Sequence, residues 1–142
     1  MSDDDLIAVD VKKIALTNMY CALVVGNDER EFPIYIEPSI GAVIKMFIEG
    51  VEKIRPLTHD LVGHILTGLN ATVERVVIND LRDNTYFARL FLKEENELGK
   101  KIIEIDGRPS DCIAIAKMKN ANIYVTRKVF DSVARSEPDS EI

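Results

Sequence analysis

Three short stretches of this 142-residue chain carry more polar chemistry than packing requires: Arg55-Pro56-Leu57-Thr58-His59-Asp60-Leu61, Asn79-Asp80-Leu81-Arg82-Asp83-Asn84 and Asp106-Gly107-Arg108-Pro109-Ser110-Asp111. The first and third stand at the openings of predicted helices. Free backbone N–H groups and the positive end of the helix dipole favour anions there, phosphate among them. Arg55 and Arg108 add guanidinium forks that match phosphate geometry, and Ser110 adds a hydroxyl beside Arg108. Each residue also has a structural reading. Asp60 and Asp111 fall in first helical turns, where a carboxylate offsets the dipole by roughly 0.3–1 kcal/mol without any catalytic duty. Pro109 is ordinary at a first helical position, Asp106-Gly107 is a common turn, and Arg108 can pair with either neighbouring acid. His59 and His64 are not a metal pair from one helix face, because residues five apart on a helix point about 140° away from each other.

The elements that must position these residues follow from periodicity. Asn18-Met19-Tyr20-Cys21-Ala22-Leu23-Val24 resembles Asn84-Thr85-Tyr86-Phe87-Ala88-Arg89-Leu90, with Asn, Tyr and Ala in register. Ile34-Tyr35-Ile36-Glu37-Pro38-Ser39 is echoed by Ile103-Glu104-Ile105-Asp106-Gly107-Arg108-Pro109-Ser110, an alternating strand running into Pro-Ser and a helical pattern. The chain therefore reads as an internal duplication, with pseudo-repeats over about 8–50 and 72–126. Each is strand, strand, strand, helix, and the whole is an α+β fold with a mixed or antiparallel sheet. The first helix presents Ile40, Val43, Ile44, Phe47 and Ile48 at helical spacing and ends at Gly50. An extra middle helix, with Thr58 as its cap, presents Leu61, Val62, Ile65, Leu66 and Leu69. Asn122 to Val125 adds a short strand, and Lys128 to Ala134 a last helical turn or two. One domain is expected over 1–135, followed by a flexible acidic tail over 136–142.

Composition narrows the function classes. Apolar content of 46% and charged content of 30% suit a soluble globular chain. No apolar run is long enough to span a bilayer, and the start is acidic, so no membrane association is expected and the cytoplasm is the expected location. Cys21 and Cys112 lie among apolar neighbours without Cys-x-x-Cys spacing, which favours buried free thiols over a disulfide or a zinc site. A net charge of −6 disfavours nonspecific wrapping of nucleic acid, although a local basic groove or a carboxylate-held cation can still meet a phosphate. Tyr20, Phe32, Tyr35, Tyr86, Phe87 and Tyr124 lie on strands and could stack bases, and alternation puts Tyr86 and Phe87 on opposite faces, one of them exposed. No Gly-rich phosphate loop, nucleophile elbow or Cys-His pairing is present.

Taken together, Arg55-Pro56-x-Thr58-His59-Asp60-Leu61, Asp80-Leu81 followed by Tyr86-Phe87-Ala88-Arg89-Leu90, and Asp106-x-Arg108-Pro109-Ser110-Asp111 resemble the signature of the bifunctional nuclease domain family, over roughly Ile7 to Ala134. The family pattern usually has Gly at the position of Asn84, and Ala at the positions of Gly107 and Cys112. The resemblance implies a small, self-associating α+β fold and a nuclease hydrolysing phosphodiester bonds of RNA or DNA. It hands over no established catalytic set. For such chemistry Asp60, Asp106 and Asp111 are the candidate ligands of Mg²⁺ or Mn²⁺. Asp60, His59 and Asp111 are the candidate catalytic residues, with His59 as general base, and Arg55, Arg108 and Ser110 the candidate phosphate contacts. Asp80 is a lesser candidate. The rival reading is a non-enzymatic homo-oligomer that binds a phosphate-bearing ligand or a protein partner. A dimer is the favoured assembly, suggested by the many strands and their exposed edges.

Overall fold

The computed structural model describes residues 5–136. In chain order the elements are β1 (Leu6–Leu16), β2 (Cys21–Gly26), β3 (Glu31–Ile36), α1 (Pro38–Glu49), α2 (Thr58–Gly68), β4 (Ala71–Arg82), β5 (Thr85–Asn96), β6 (Gly99–Gly107), α3 (Pro109–Lys119), β7 (Asn122–Thr126) and α4 (Arg127–Ser136). The seven strands form one sheet in the order β3-β2-β1-β7-β4-β5-β6. β1-β2-β3 and β4-β5-β6 are antiparallel meanders. β7 joins them, antiparallel to β1 and parallel to β4. The sheet is mixed and the class is α+β, as the periodicity predicts. The order strand, strand, strand, helix occurs as β1-β2-β3-α1 and as β4-β5-β6-α3, with α2 between them.

Local chemistry explains the boundaries. The β4–β5 hairpin closes on Arg82 opposite Thr85, with Asp83 at φ 51° and Asn84 at φ 64°. Two successive positive φ angles make the mirror-image turn that suits twisted strands, and Asp and Asn tolerate that backbone better than most residues. α1 and α3 each begin with proline after a residue held extended, Glu37 and Arg108 respectively. A proline disfavours helical backbone in the residue before it and needs no N–H partner at the first helical position. Gly50, at φ 69°, ends α1 by donating to the carbonyls around Met46 and Phe47.

α3 is the central helix: Cys112, Ile113, Ala114, Ile115 and Ala116 are all buried in succession. It lies against α1 and α2 as well as against β4, β5 and β7. Close approach depends on small residues. A Cβ on Gly41 of α1 would stand 2.4 Å from the Cys21 sulfur of β2, and one on Gly63 of α2 would stand 2.9 Å from the tip of Met118 on α3. Ile44 of α1 is fully buried, and Ile40 and Phe47 pack on the core, but Ile48 at the end of the predicted face is exposed.

α2 departs further from the pattern. Its cap position is Leu57 rather than Thr58, and the Asp60 carboxylate accepts the Leu57 N–H at 2.8 Å. The helix packs through His59, Gly63 and Leu66 with Val62 beside them on the core, so two of the five predicted apolar residues face inward while Leu61, Ile65 and Leu69 are more than half exposed. The physical reason is the narrow waist at Gly63 and the polar anchor at His59. Together they turn that side of the helix toward α3, whereas hydrophobicity alone would have chosen the leucine stripe.

α4 is a ten-residue helix where a turn or two was expected, and it packs on β1, β4 and β7 through buried Val129, Phe130 and Val133. Arg30 clamps it, donating to the Phe130 carbonyl at 2.8 Å while its guanidinium sits 4.4 Å from the centre of that ring. Val76, Val77 and Ile78 are each fully buried, so both faces of β4 are covered. Both cysteines are free and buried, as the sequence suggests. The predicted tail falls mainly on 137–142, outside the described residues. No helix among the described residues is long and apolar enough to cross a membrane.

Candidate functional site

The side chains that precede the two prolines meet. Arg108 Nη1 donates to Glu37 Oε1 at 3.1 Å, and Arg108 Nε donates to Asp111 Oδ2 at 2.9 Å. The other Asp111 oxygen, Oδ1, lies 2.9 Å from His59 Nε2. Glu37, Arg108, Asp111 and His59 thus form one polar chain linking the openings of α1 and α3 to the first turn of α2. Side-chain exposure falls along it, from 64% and 59% at Glu37 and Arg108 to 34% at Asp111 and 10% at His59. The outer end is open to a ligand and the inner end is anchored in the protein. A carboxylate can only accept, so His59 presents Nε2–H to Asp111 and carries its free lone pair on Nδ1 when neutral.

Burial by itself would raise the Asp111 pKa, but the hydrogen bonds and charges of Arg108 and His59 outweigh it and hold the carboxyl below its usual range. The same hydrogen bond and charge of Asp111, with those of Glu37, push the Arg108 guanidinium higher still. The Cys112 thiol is pushed up to about 12, by burial first and then by Asp111 and Asp106, which makes it a poor nucleophile.

Beside this chain lies a groove of about 630 Å³. Glu37, Arg108 and Ser110 line it on the helix side, Asn84, Thr85 and Tyr86 from the β4–β5 turn, and Met19, Ile34, Tyr35 and Ile36 from the first meander. Met19 and Tyr35 are strongly exposed, at 87% and 71%, and Tyr20 meets Tyr35 edge to face with ring centres 6.2 Å apart. Tyr86 stacks on Phe32 at 5.7 Å, and burial pushes its phenol up to about 12. Phe87 packs under the Arg82 guanidinium at 4.3 Å. Neither Tyr86 nor Phe87 is fully exposed, contrary to the alternation argument, because each strand face there is partly covered. The open aromatic surface belongs to Tyr20 and Tyr35.

His59 and Asp111 are in direct contact, and Arg108 and Ser110 line the groove, Ser110 being buried. Asp60 turns away to Lys53 at 3.6 Å and the Leu57 N–H. Asp106 is exposed on β6 and lies 3.7 Å from Arg89. Asp80 pairs with Arg82 at 3.1 Å and Lys128 at 3.5 Å, tying α4 to the sheet. Arg55 is exposed and lines a separate shallow depression with Pro56, Leu57, Thr58 and Leu61. Among the described residues, the hydrogen bond between His59 and Asp111 ties the Arg55–Asp60 stretch to the Asp106–Asp111 stretch. Asp60, Asp106 and Asp111 face three different cations, and no group of three His, Cys, Asp or Glu residues able to hold a metal occurs among the described residues. They do not form the shared donor set their sequence suggested.

Glu37, Tyr35 and the turn residue Asn84 are contributors that a search for clustered acids overlooks. A signal for Glu37 was present. Glu37-Pro38-Ser39 and Arg108-Pro109-Ser110 place opposite charges at matching positions before two helices.

The family profile of the bifunctional nuclease domain matches residues 22–138, and the chain belongs to that family. Two curated relatives, each called an uncharacterized protein and found in Mycobacterium tuberculosis strains CDC 1551 / Oshkosh and H37Rv, are 35% identical over 114 residues. That alignment covers 80% of this chain and 65% of each relative, so the chain spans just under two thirds of their length.

Proposed function

We propose that the groove beside Glu37, Arg108, Asp111 and His59 binds a phosphodiester of RNA or DNA and hydrolyses it. The observation that carries the reading is the Arg108 guanidinium at the opening of α3, bridging two carboxylates at the edge of an open groove in a member of the bifunctional nuclease domain family. A phosphodiester oxygen takes the place of Glu37 on Arg108. Asp111 keeps the guanidinium fixed, and the first turns of α1 and α3 add their dipoles. Exposed Tyr35 and Tyr20 offer flat faces on which a base can stack, worth about 1–3 kcal/mol per base. An attacking water hands its proton to the Asp111 carboxylate, the more exposed member of the Asp111–His59 pair. The P–O ester bond breaks and the leaving oxygen takes a proton from solvent, while His59 and Arg108 hold that carboxylate in place.

Phosphoryl chemistry commonly uses Mg²⁺ or Mn²⁺, held by one or two carboxylates together with substrate phosphates. Asp111 is the one carboxylate of the expected trio at the site, and it would hold such an ion together with the substrate phosphate.

The test is incubation of the purified chain with single-stranded RNA and DNA in Mg²⁺, in Mn²⁺ and in chelator. Cleavage that survives Asp60→Asn and is lost with Arg108→Gln supports the reading. Absence of cleavage in every condition, with oligonucleotide binding retained, favours a binding module.

A further inference from the structure

β6 ends the sheet order, so one side of its backbone has no neighbouring strand. The opposite terminal strand, β3, contains Pro33, which lacks an N–H and blunts strand addition at that edge. β6 has no proline. It pairs with β5 from Gly107 opposite Ala88 to Gly99 opposite Asn96 without a bulge, and seven of its nine residues are exposed. Ile102 and Ile105 are exposed apolar residues on it, and Leu98 just before it is 97% exposed. An edge of this length without a bulge and with apolar side chains on show is a template for another strand, and the charged residues Lys100, Lys101, Glu104 and Asp106 on it turn away strands whose charges do not match.

The charges select which strand. Lys100 and Lys101 lie toward the start of β6, Glu104 and Asp106 toward its end. Residues 100, 102 and 104 share one face by alternation. An antiparallel copy turned about a two-fold axis at Ile102 sets Ile102 against itself and Lys100 against Glu104, twice. A parallel copy in register would oppose like charges. Within the chain Lys101 already meets Glu94 at 3.9 Å, and Glu104 meets Arg89 at 3.6 Å. Lys100 has no ion-pair partner among the described residues. We propose that β6 is the surface through which two copies of this chain pair, antiparallel and edge to edge, joining their two sheets into one. This proposal is independent of the nuclease reading.

Sedimentation velocity on the full chain, over a range of concentrations, tests it with Lys100→Glu, Glu104→Lys and an equimolar mixture of the two variants. The parent sediments as a dimer. Each variant alone opposes like charges twice and weakens association by about tenfold. The mixture restores the dimer, because each introduced charge then faces its opposite. A monomeric parent, a parent dimer insensitive to Lys100→Glu, or folded variants whose mixture fails to associate would each overturn the proposal. Glu104→Lys also removes the Arg89 contact. Should that variant unfold, Lys100→Glu decides alone, since its side chain has no partner to lose.

Discussion

Replacing Gly41 with alanine would put a methyl carbon 2.4 Å from the Cys21 sulfur and 3.0 Å from the Cys21 Cβ. Ordinary contacts begin near 3.4 Å, so the overlap is about 1 Å, and Cys21 is fully buried on β2 with no free direction to move. Helix α1 must lift from the sheet instead. Overpacking of this kind costs about 1–3 kcal/mol, and a clash with both sulfur and Cβ belongs at the upper end. Alanine's better helix propensity returns about 1 kcal/mol, which leaves a net loss of about 2 kcal/mol. For a chain of this length that lowers the thermal midpoint by roughly 6–8 °C. Lifting α1 also draws Glu37 away from Arg108, so the packing defect reaches the groove. Chemical denaturation of Gly41→Ala, Cys21→Ala and the double variant measures the coupling. The double variant regains a large part of the loss because the sulfur is gone. Gly68→Ala, whose new Cβ would meet nothing within 4 Å, is unchanged or slightly more stable. If Gly41→Ala matches the parent, or if the two substitutions are simply additive, the close seating of α1 on β2 is wrong.

Two further outcomes follow from the polar chain. Glu37 competes with substrate phosphate for Arg108, so Glu37→Gln tightens binding of a short single-stranded oligonucleotide by several-fold, read by fluorescence anisotropy, whereas Arg108→Gln weakens it. Acid stability has a definite sign. Asp10 of β1 accepts from Lys117 Nζ of α3 at 2.8 Å. Burial would raise its pKa, but that contact holds the carboxyl below the ordinary 3.8, where that of Asp111 also lies. The contribution of both is complete at neutral pH and is lost as pH falls below that value. The thermal midpoint is therefore level from neutral to mildly acidic pH and drops below pH 4, and Asp111→Asn shrinks the drop. A midpoint that rose on acidification would contradict the assigned partners.

The elements were legible because their signals are local. Pro38 and Gly50 bracket α1, Pro109 opens α3, and alternation marks β2 and β3. What escaped is set by tertiary contact. The apolar stripe of α2 looks buried throughout, but with Gly63 and His59 engaging α3 only Val62 and Leu66 of it reach the core. Asp60 and Asp111 look alike in the sequence, both in first helical turns. Only the fold turns one to Lys53 and the Leu57 N–H, and the other to Arg108 and His59. The joining of residues 37 and 108 needs α1 and α3 to lie side by side, which no short-range pattern encodes, although the paired Pro-Ser openings hint at it.

The most direct measurement is kcat/KM for oligonucleotide cleavage by Asp111→Asn beside the parent, with thermal midpoints recorded for both. Asparagine keeps the shape of the side chain but removes the charge that orders Arg108 and His59. Loss of an oriented proton acceptor predicts a fall of about a hundredfold or more with the fold intact. An Asp111→Asn protein that folds normally and cleaves at the parent rate would show that this polar chain is bracing between helices and that the chemistry lies elsewhere.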